Sequence, residues 1–136
     1  MTETQTVDLA AWLTRIWDEE ERRLTRATNR GAWVADGLSV KHQPTGDTLA
    51  RFVYPGDADH AEHWQPGAVL ARIAADRKIL ELHKPYQRII GLGCETCLGS
   101  AVKNKPASFP GWPCPTLRLL ASPYKGREGW QEAWDE

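Results

Sequence analysis

The sequence has no long apolar run and no excess of positive or negative charge, and its cysteines are odd in number. A membrane-spanning helix needs about 18 or more consecutive apolar residues, and none of the 136 residues lies in such a stretch. Residues 1–6 also lack the basic start and the apolar run of a signal peptide. The sequence therefore predicts a cytoplasmic protein without a membrane segment.

The charges of the chain are nearly balanced. Lys and Arg number 17 against 18 Asp and Glu, and the formal net charge is −1, which excludes a strongly cationic binder of nucleic acids. Residues 72–105 are mildly basic, with seven Lys or Arg against three acidic residues. Because few aromatic side chains interleave with these cations, nucleic-acid binding by this part is a weaker hypothesis than protein binding.

The composition, 41% hydrophobic and 26% charged, is typical of one soluble domain, and we predict an α+β fold over residues 1–136. The hydrophobic periodicity changes along the chain from helical to strand spacing and back. We predict a helix within residues 1–30, short antiparallel strands within 31–55, a central helix within 60–84, and a metal-binding and helical part over 85–136.

The boundaries of the predicted helices follow from capping residues and prolines. Thr6 or Asp8 can cap the first helix. Residues 55–59 are rich in turn formers and predict a connector, after which Pro66 begins the central helix and Pro85 ends it. The apolar stripe of the first helix recurs at spacings of three, four and seven residues and consists of Leu9, Leu13, Ile16, Trp17, Leu24 and Ala27.

Three cysteines are an odd number for a disulfide framework but suit a metal site. Cys94 and Cys97 have the C-x-x-C spacing that lets two thiolates bind one ion, and Cys114 precedes a predicted helix whose dipole favours a thiolate. His83 ends the apolar stripe of the central helix, just before the strand that leads to Cys94. The sequence therefore predicts a closed, structural Zn²⁺ site of His83, Cys94, Cys97 and Cys114.

The sequence also allows two other functions for the C-x-x-C pair. Such a pair can be redox-active, although the chain has a third cysteine and no thioredoxin-like context. His60 and Glu62, followed by Cys94 and Cys97, also match the outline of zinc-dependent nucleobase deaminases, in which His and two Cys bind zinc and Glu transfers protons. Against the deaminase, Pro66 lies four residues after Glu62 and would break the helix that the motif of His60 and Glu62 begins in that enzyme class.

The remaining histidines are alternatives to His83 as the fourth ligand. These are His42, His60 and His63, and a solvated ring is the simpler expectation for His42 and His63. The seven Trp are expected to fill the core, and an aromatic surface for a partner protein would explain any Trp that is exposed.

Three segments of the chain carry a family resemblance: RKILELH at residues 77–83, CETC at 94–97 and PCPTLRLLASPY at 113–124. They resemble a family of small uncharacterised proteins from actinobacteria and their bacteriophages, and the likeness extends from the first helix to the last Trp. The resemblance implies a bacterial or phage setting, and it supports the three cysteines and His83 as one set. In the family pattern position 62 is not characteristically acidic, which weakens the deaminase hypothesis.

The resulting prediction is a non-enzymatic, zinc-stabilised accessory or regulatory protein with an unidentified protein partner. The closed ligand set, without a spare pair of nucleophile and base, motivates this interpretation. The alternatives are a deaminase-like enzyme and a weak nucleic-acid-binding zinc module.

Overall fold

The structure is a computed structural model that describes residues 8–27, 31–88, 91–97 and 112–135. The chain divides into two compact units, one of Met1–Asp18 with Ala75–Glu136 and one of Glu19–Ala74. Its helices and two antiparallel sheets confirm the predicted α+β class. None of the helices in the described ranges has the length and apolar character that a membrane crossing requires.

Helix α1 (Leu9–Ala27) is the predicted N-terminal helix. Asp8 caps it, because its Oδ1 atom accepts a hydrogen bond from the backbone N–H of Ala10 at 3.3 Å; the alternative cap, Thr6, lies outside the described residues. The buried stripe differs from the predicted one, since Trp12 belongs to it and Ala27 is exposed. The buried side chains of α1 are Leu9, Trp12, Leu13, Ile16 and Trp17.

A three-stranded antiparallel sheet in the second unit confirms the predicted strands within residues 31–55. Val40 on the central strand lies opposite Ala35 on one side and Ala50 on the other, and its side chain is buried. The strands are β1 (Trp33–Asp36), β2 (Ser39–His42) and β3 (Thr48–Arg51), in that order across the sheet.

Two helices occupy the region where the sequence predicted a connector and one central helix. Helix α2 (Pro55–His63) includes the predicted connector 55–59, and helix α3 (Pro66–Leu82) begins at the predicted proline. The connector prediction is wrong: Pro55 and Asp57 are tolerated in a first helical turn, and packing outweighs the turn-forming composition of the segment. Helix α2 packs against β1 and β2 with Ala58 buried.

The first unit contains a hairpin and the C-terminal helices. Strands β4 (Pro85–Arg88) and β5 (Gly91–Cys94) are antiparallel, and residues 95–97 form a helical turn. Helix α4 (Pro115–Ala121) begins at the predicted proline. It is followed by two short 3-10 helices, Ser122–Tyr124 and Glu132–Asp135.

Three Trp rings join the C-terminal segment to α1 within the first unit. The ring centroid of Trp12 lies 5.6 Å from that of Trp130 and 5.2 Å from that of Trp134. The indole N–H of Trp12 also donates to the carbonyl of Glu128 at 2.9 Å. Because Trp12 and Trp134 are both buried, these contacts form part of the core.

Candidate metal centre

Three elements of the first unit have a predicted metal ligand at one of their ends. His83 follows the last residue of α3, Cys94 is the last residue of β5, and Cys114 immediately precedes α4. Cys97 lies in the helical turn that follows β5. The four predicted ligand residues are thus placed by a helix end, a hairpin and a helix start.

The hairpin register explains how His83 and the C-x-x-C pair meet. Cys94 pairs with Pro85, which is only two residues after His83. The backbone N–H of Glu95 donates to the carbonyl of Lys84 at 2.9 Å, and the Thr96 hydroxyl donates to the carbonyl of Leu82. These bonds hold the turn that carries Cys97 against the end of α3.

The side chains of His83, Cys94, Cys97 and Cys114 converge, with all their ligand atoms within 4.8 Å of one another. The His83 Nδ1 atom lies 3.3 Å from the Sγ of Cys94, 3.7 Å from that of Cys97 and 3.5 Å from that of Cys114. A single N–H group cannot point at three sulfurs at once, so these contacts are not three ordinary hydrogen bonds.

The spacing fits a tetrahedral metal ion. With Zn–S bonds of about 2.3 Å and a Zn–N bond of about 2.05 Å, tetrahedral angles place nitrogen about 3.6 Å from each sulfur. The three measured distances, 3.3, 3.7 and 3.5 Å, lie on both sides of that value. The residues therefore fit Zn²⁺, and Nδ1 is the imidazole atom that would bind it.

Burial makes three free thiolates costly at this position. Cys94 and Cys114 are buried, and Cys97 is half-buried. The pKa of Cys97 is raised to about 12 by burial, by the hydrogen bond with Cys94 and by the charge of Cys114. Burial is also the main cause that raises the pKa of Cys114. A bound divalent cation stabilises the thiolate forms and removes this conflict.

The structure gives two of the other histidines different neighbours, within the second unit. The expectation of a solvated ring is wrong for His42, which is buried, and its Nδ1 atom lies 3.1 Å from the Thr45 hydroxyl. The Nε2 atom of His63 accepts a hydrogen bond from Arg72 at 3.2 Å. Neither residue belongs to the group of described side chains that could hold a metal ion.

The residues of the deaminase pattern belong to different units of the chain, since Cys94 and Cys97 lie in the first unit. His60 and Glu62 lie on α2 in the second unit, and the cysteine cluster does not include them. The Oε1 atom of Glu62 instead accepts a hydrogen bond from the backbone N–H of Ala35 on β1 at 3.0 Å. This contact gives Glu62 a structural role that the sequence pattern did not reveal.

The arrangement is chemically a closed Cys₃His set. Four protein ligands fill a tetrahedral coordination sphere and leave no position for a water molecule. The sequence predicted these four residues as one set from the C-x-x-C spacing, the third cysteine before a helix, and a histidine between the central helix and the strand that leads to Cys94. It did not indicate that Nδ1 is the ring atom that faces the sulfurs, because this depends on how the ring is oriented at the end of α3.

Comparison with known proteins places the whole described fold in one family. The model of DUF6221, a family of unknown function, matches residues 6–136. No curated protein and no solved structure matches the chain. The match extends over nearly the entire sequence, as the resemblance to an uncharacterised family led us to expect. The chain belongs to the family of unknown function DUF6221.

Proposed function

We propose that His83, Cys94, Cys97 and Cys114 bind one structural Zn²⁺ ion, and that the chain is a non-enzymatic accessory or regulatory interaction protein. The observation that carries the metal site is the near-equal distance of His83 Nδ1 from three sulfurs, 3.3 to 3.7 Å. Thiolate and imidazole ligands in a tetrahedral arrangement favour Zn²⁺ over hard cations such as Mg²⁺ and Ca²⁺.

The ion stabilises the first unit by joining segments that are distant in sequence. It connects the end of α3, the β4–β5 hairpin and the start of α4 through His83, Cys94 and Cys114. In zinc-finger peptides, metal binding of this kind contributes about 10–16 kcal/mol at pH 7. The ion therefore acts on folding, and a closed set gives no route to activate water.

Exposed apolar side chains support the interaction role. Leu82 adjoins the ligand His83 and is 66% exposed, and Leu119 on α4 is 71% exposed. A contiguous exposed apolar patch is typical of contacts with other proteins, and these two side chains are our candidates for such a contact in the first unit. A partner that co-purifies with the wild-type chain should be lost from a Leu82→Ser, Leu119→Ser variant that retains its metal.

Native mass spectrometry tests the metal site directly. We expect one Zn²⁺ per wild-type chain and loss of the ion in the His83→Ala and Cys114→Ser variants, because three ligands hold zinc less tightly than four. The matched controls, His60→Ala and His63→Ala, remove histidines outside the cluster and should keep the ion. Undiminished zinc in Cys114→Ser would overturn the four-ligand site.

A further inference from the structure

One large aromatic ring is held at the surface of the second unit. Trp64, between α2 and α3, is 49% exposed, whereas Trp12 and Trp17 are buried. The guanidinium carbon of Arg72 lies 4.4 Å from the centroid of the Trp64 ring, a cation–π contact. The ring is therefore fixed in position by its neighbour while half of its surface remains open.

Arg72 carries a charge that no carboxylate balances in the described part of the chain. The ion pairs formed by the described residues do not include it. Its Nη1 atom is shielded from solvent and has no hydrogen-bond partner among the described residues. A half-buried cation without a counter-ion is unfavourable, so this position favours an anion nearby.

Two histidines next to Trp64 can donate hydrogen bonds to such an anion. Because Arg has no acceptor atom, the Nε2 atom of His63 must accept the 3.2 Å bond from Arg72, and neutral His63 carries its proton on Nδ1. The His63 and His60 rings lie 5.4 and 6.2 Å from the Trp64 ring, measured between centroids. Both are exposed, three residues apart on one face of α2.

We propose that Trp64, Arg72, His60 and His63 form a binding site for a base joined to a phosphate, as in a nucleotide or in single-stranded nucleic acid. The base stacks on the open part of Trp64, as bases do on aromatic side chains. The phosphate accepts hydrogen bonds from His60 and His63, and Arg72 supplies the permanent positive charge. The site lies in the second unit and does not depend on a metal ion.

Helix α2 carries three acidic residues, and exposed Asp59, one turn before His63, disfavours an anion there. Glu62 is engaged by the backbone N–H of Ala35. Asp57 is exposed one turn before His60, and its negative charge opposes the binding of a phosphate. Asp57→Asn should therefore strengthen binding, a gain that a purely structural role of the cluster would not produce.

Fluorescence anisotropy of a labelled single-stranded oligodeoxythymidine, with zinc-loaded full-length protein, tests the proposal. We expect Trp64→Leu to weaken binding at least about fivefold, the effect of removing one stacked base. Arg72→Gln should reduce the slope of log affinity against log salt concentration by about one. His60→Gln, at an exposed position, should weaken binding without changing the thermal unfolding midpoint.

The controls are Tyr54→Leu and Arg51→Gln, which remove an exposed aromatic ring and an exposed arginine elsewhere in the second unit; both should bind like the wild type. If thymidine monophosphate competes with the oligonucleotide, the site binds mononucleotides. If it does not compete, the site binds single-stranded nucleic acid. The proposal is overturned if neither ligand binds, if inorganic phosphate competes as well as the nucleotide, or if Trp64→Leu and His60→Gln bind like the controls.

Discussion

At the scale of single residues, two glycines near the C-terminus have the same backbone conformation but different surroundings. Gly126 has a φ of 94° and Gly129 a φ of 92°, values that a side chain makes unfavourable by about 1–2 kcal/mol. A Cβ atom on Gly129 would lie 2.7 Å from Nε1 of Trp12, whereas one on Gly126 would meet nothing within 4 Å. Only Gly129 is therefore required by a close approach.

We expect Gly129→Ala to lower the free energy of unfolding by about 1–3 kcal/mol more than Gly126→Ala, because only the first variant displaces the buried Trp12 ring. Urea unfolding of the two variants measures the difference. Equal losses of stability in both would contradict the tight packing of residue 129 on Trp12.

Asp76 on α3 provides a test of pH dependence. Burial raises the pKa of this carboxyl above its ordinary value of 3.8, so the folded chain binds the proton more tightly than the unfolded chain. Ionisation of Asp76 then lowers stability, and the cost is present above the raised pKa and absent below the ordinary value.

Asp76→Asn should therefore raise the thermal unfolding midpoint at pH 7, and this gain should shrink as the pH falls toward 4. Thermal unfolding monitored by circular dichroism over that range measures the effect. Glu81→Gln, at an exposed position of the same helix, is the control and should show a smaller gain. A gain that is independent of pH would contradict the role of burial at Asp76.

At the scale of elements, the side chain of Gln65 protects the edge strand β1. Its Oε1 atom accepts a hydrogen bond from the N–H of Trp33 at 2.9 Å, and its Nε2 atom donates to the carbonyl of Trp33 at 3.1 Å. Nε2 also donates to the carbonyl of Glu62 at 2.9 Å. One amide thus covers backbone groups that an edge strand would otherwise expose.

Gln65→Ala should lower the free energy of unfolding by about 1–3 kcal/mol, because it leaves the backbone groups of Trp33 without partners. The exposed Gln43→Ala is the matched control. Urea unfolding measures the loss, and faster hydrogen exchange at the Trp33 amide would localise it to β1. An unchanged exchange rate at Trp33 would contradict the edge-protection role.

The elements also show where local patterns predict structure and where they do not. The helices that begin at Pro66 and Pro115 were predictable, because proline at the first helical position acts locally. Residues 55–59 have the composition of a turn but form the start of α2. Packing of α2 against β1 and β2 outweighs that weak local preference.

At the scale of the whole molecule, the proposed ion acts on one unit of the chain. All four ligand residues lie in the first unit, so removal of the metal should destabilise that unit first. We expect a chelator to lower the thermal unfolding midpoint and to speed hydrogen exchange in β5 and α4 more than in β1–β3. Exchange measured by mass spectrometry, before and after zinc is restored, checks this expectation. Equal acceleration in both units, or none, would contradict it.

The candidate site was largely predictable because its signal is one of residue type and spacing. The C-x-x-C pair, a third cysteine before Pro115 and a histidine before the predicted strand identified the four residues whose side chains converge. The choice among the four histidines had a physical basis as well, since His83 follows the apolar stripe of α3. The roles of Glu62 and Gln65 were not predictable, because hydrogen bonds to β1 depend on how distant segments pack.

The sequence by itself determined the periodicity of the helices and strands, the helix starts at proline and the presence of a complete Cys₃His set. The periodicity and the helix starts depend on residues that are close together in the sequence, and the Cys₃His set depends on the chemical type of its residues. Only the tertiary structure decided that Nδ1 of His83 faces three sulfurs and that Trp64 stays half exposed beside Arg72. The orientation of the His83 ring follows from contacts with residues 11 to 31 positions away in the sequence. The exposure of Trp64 depends on the path of the chain between α2 and α3, which a local sequence pattern does not determine.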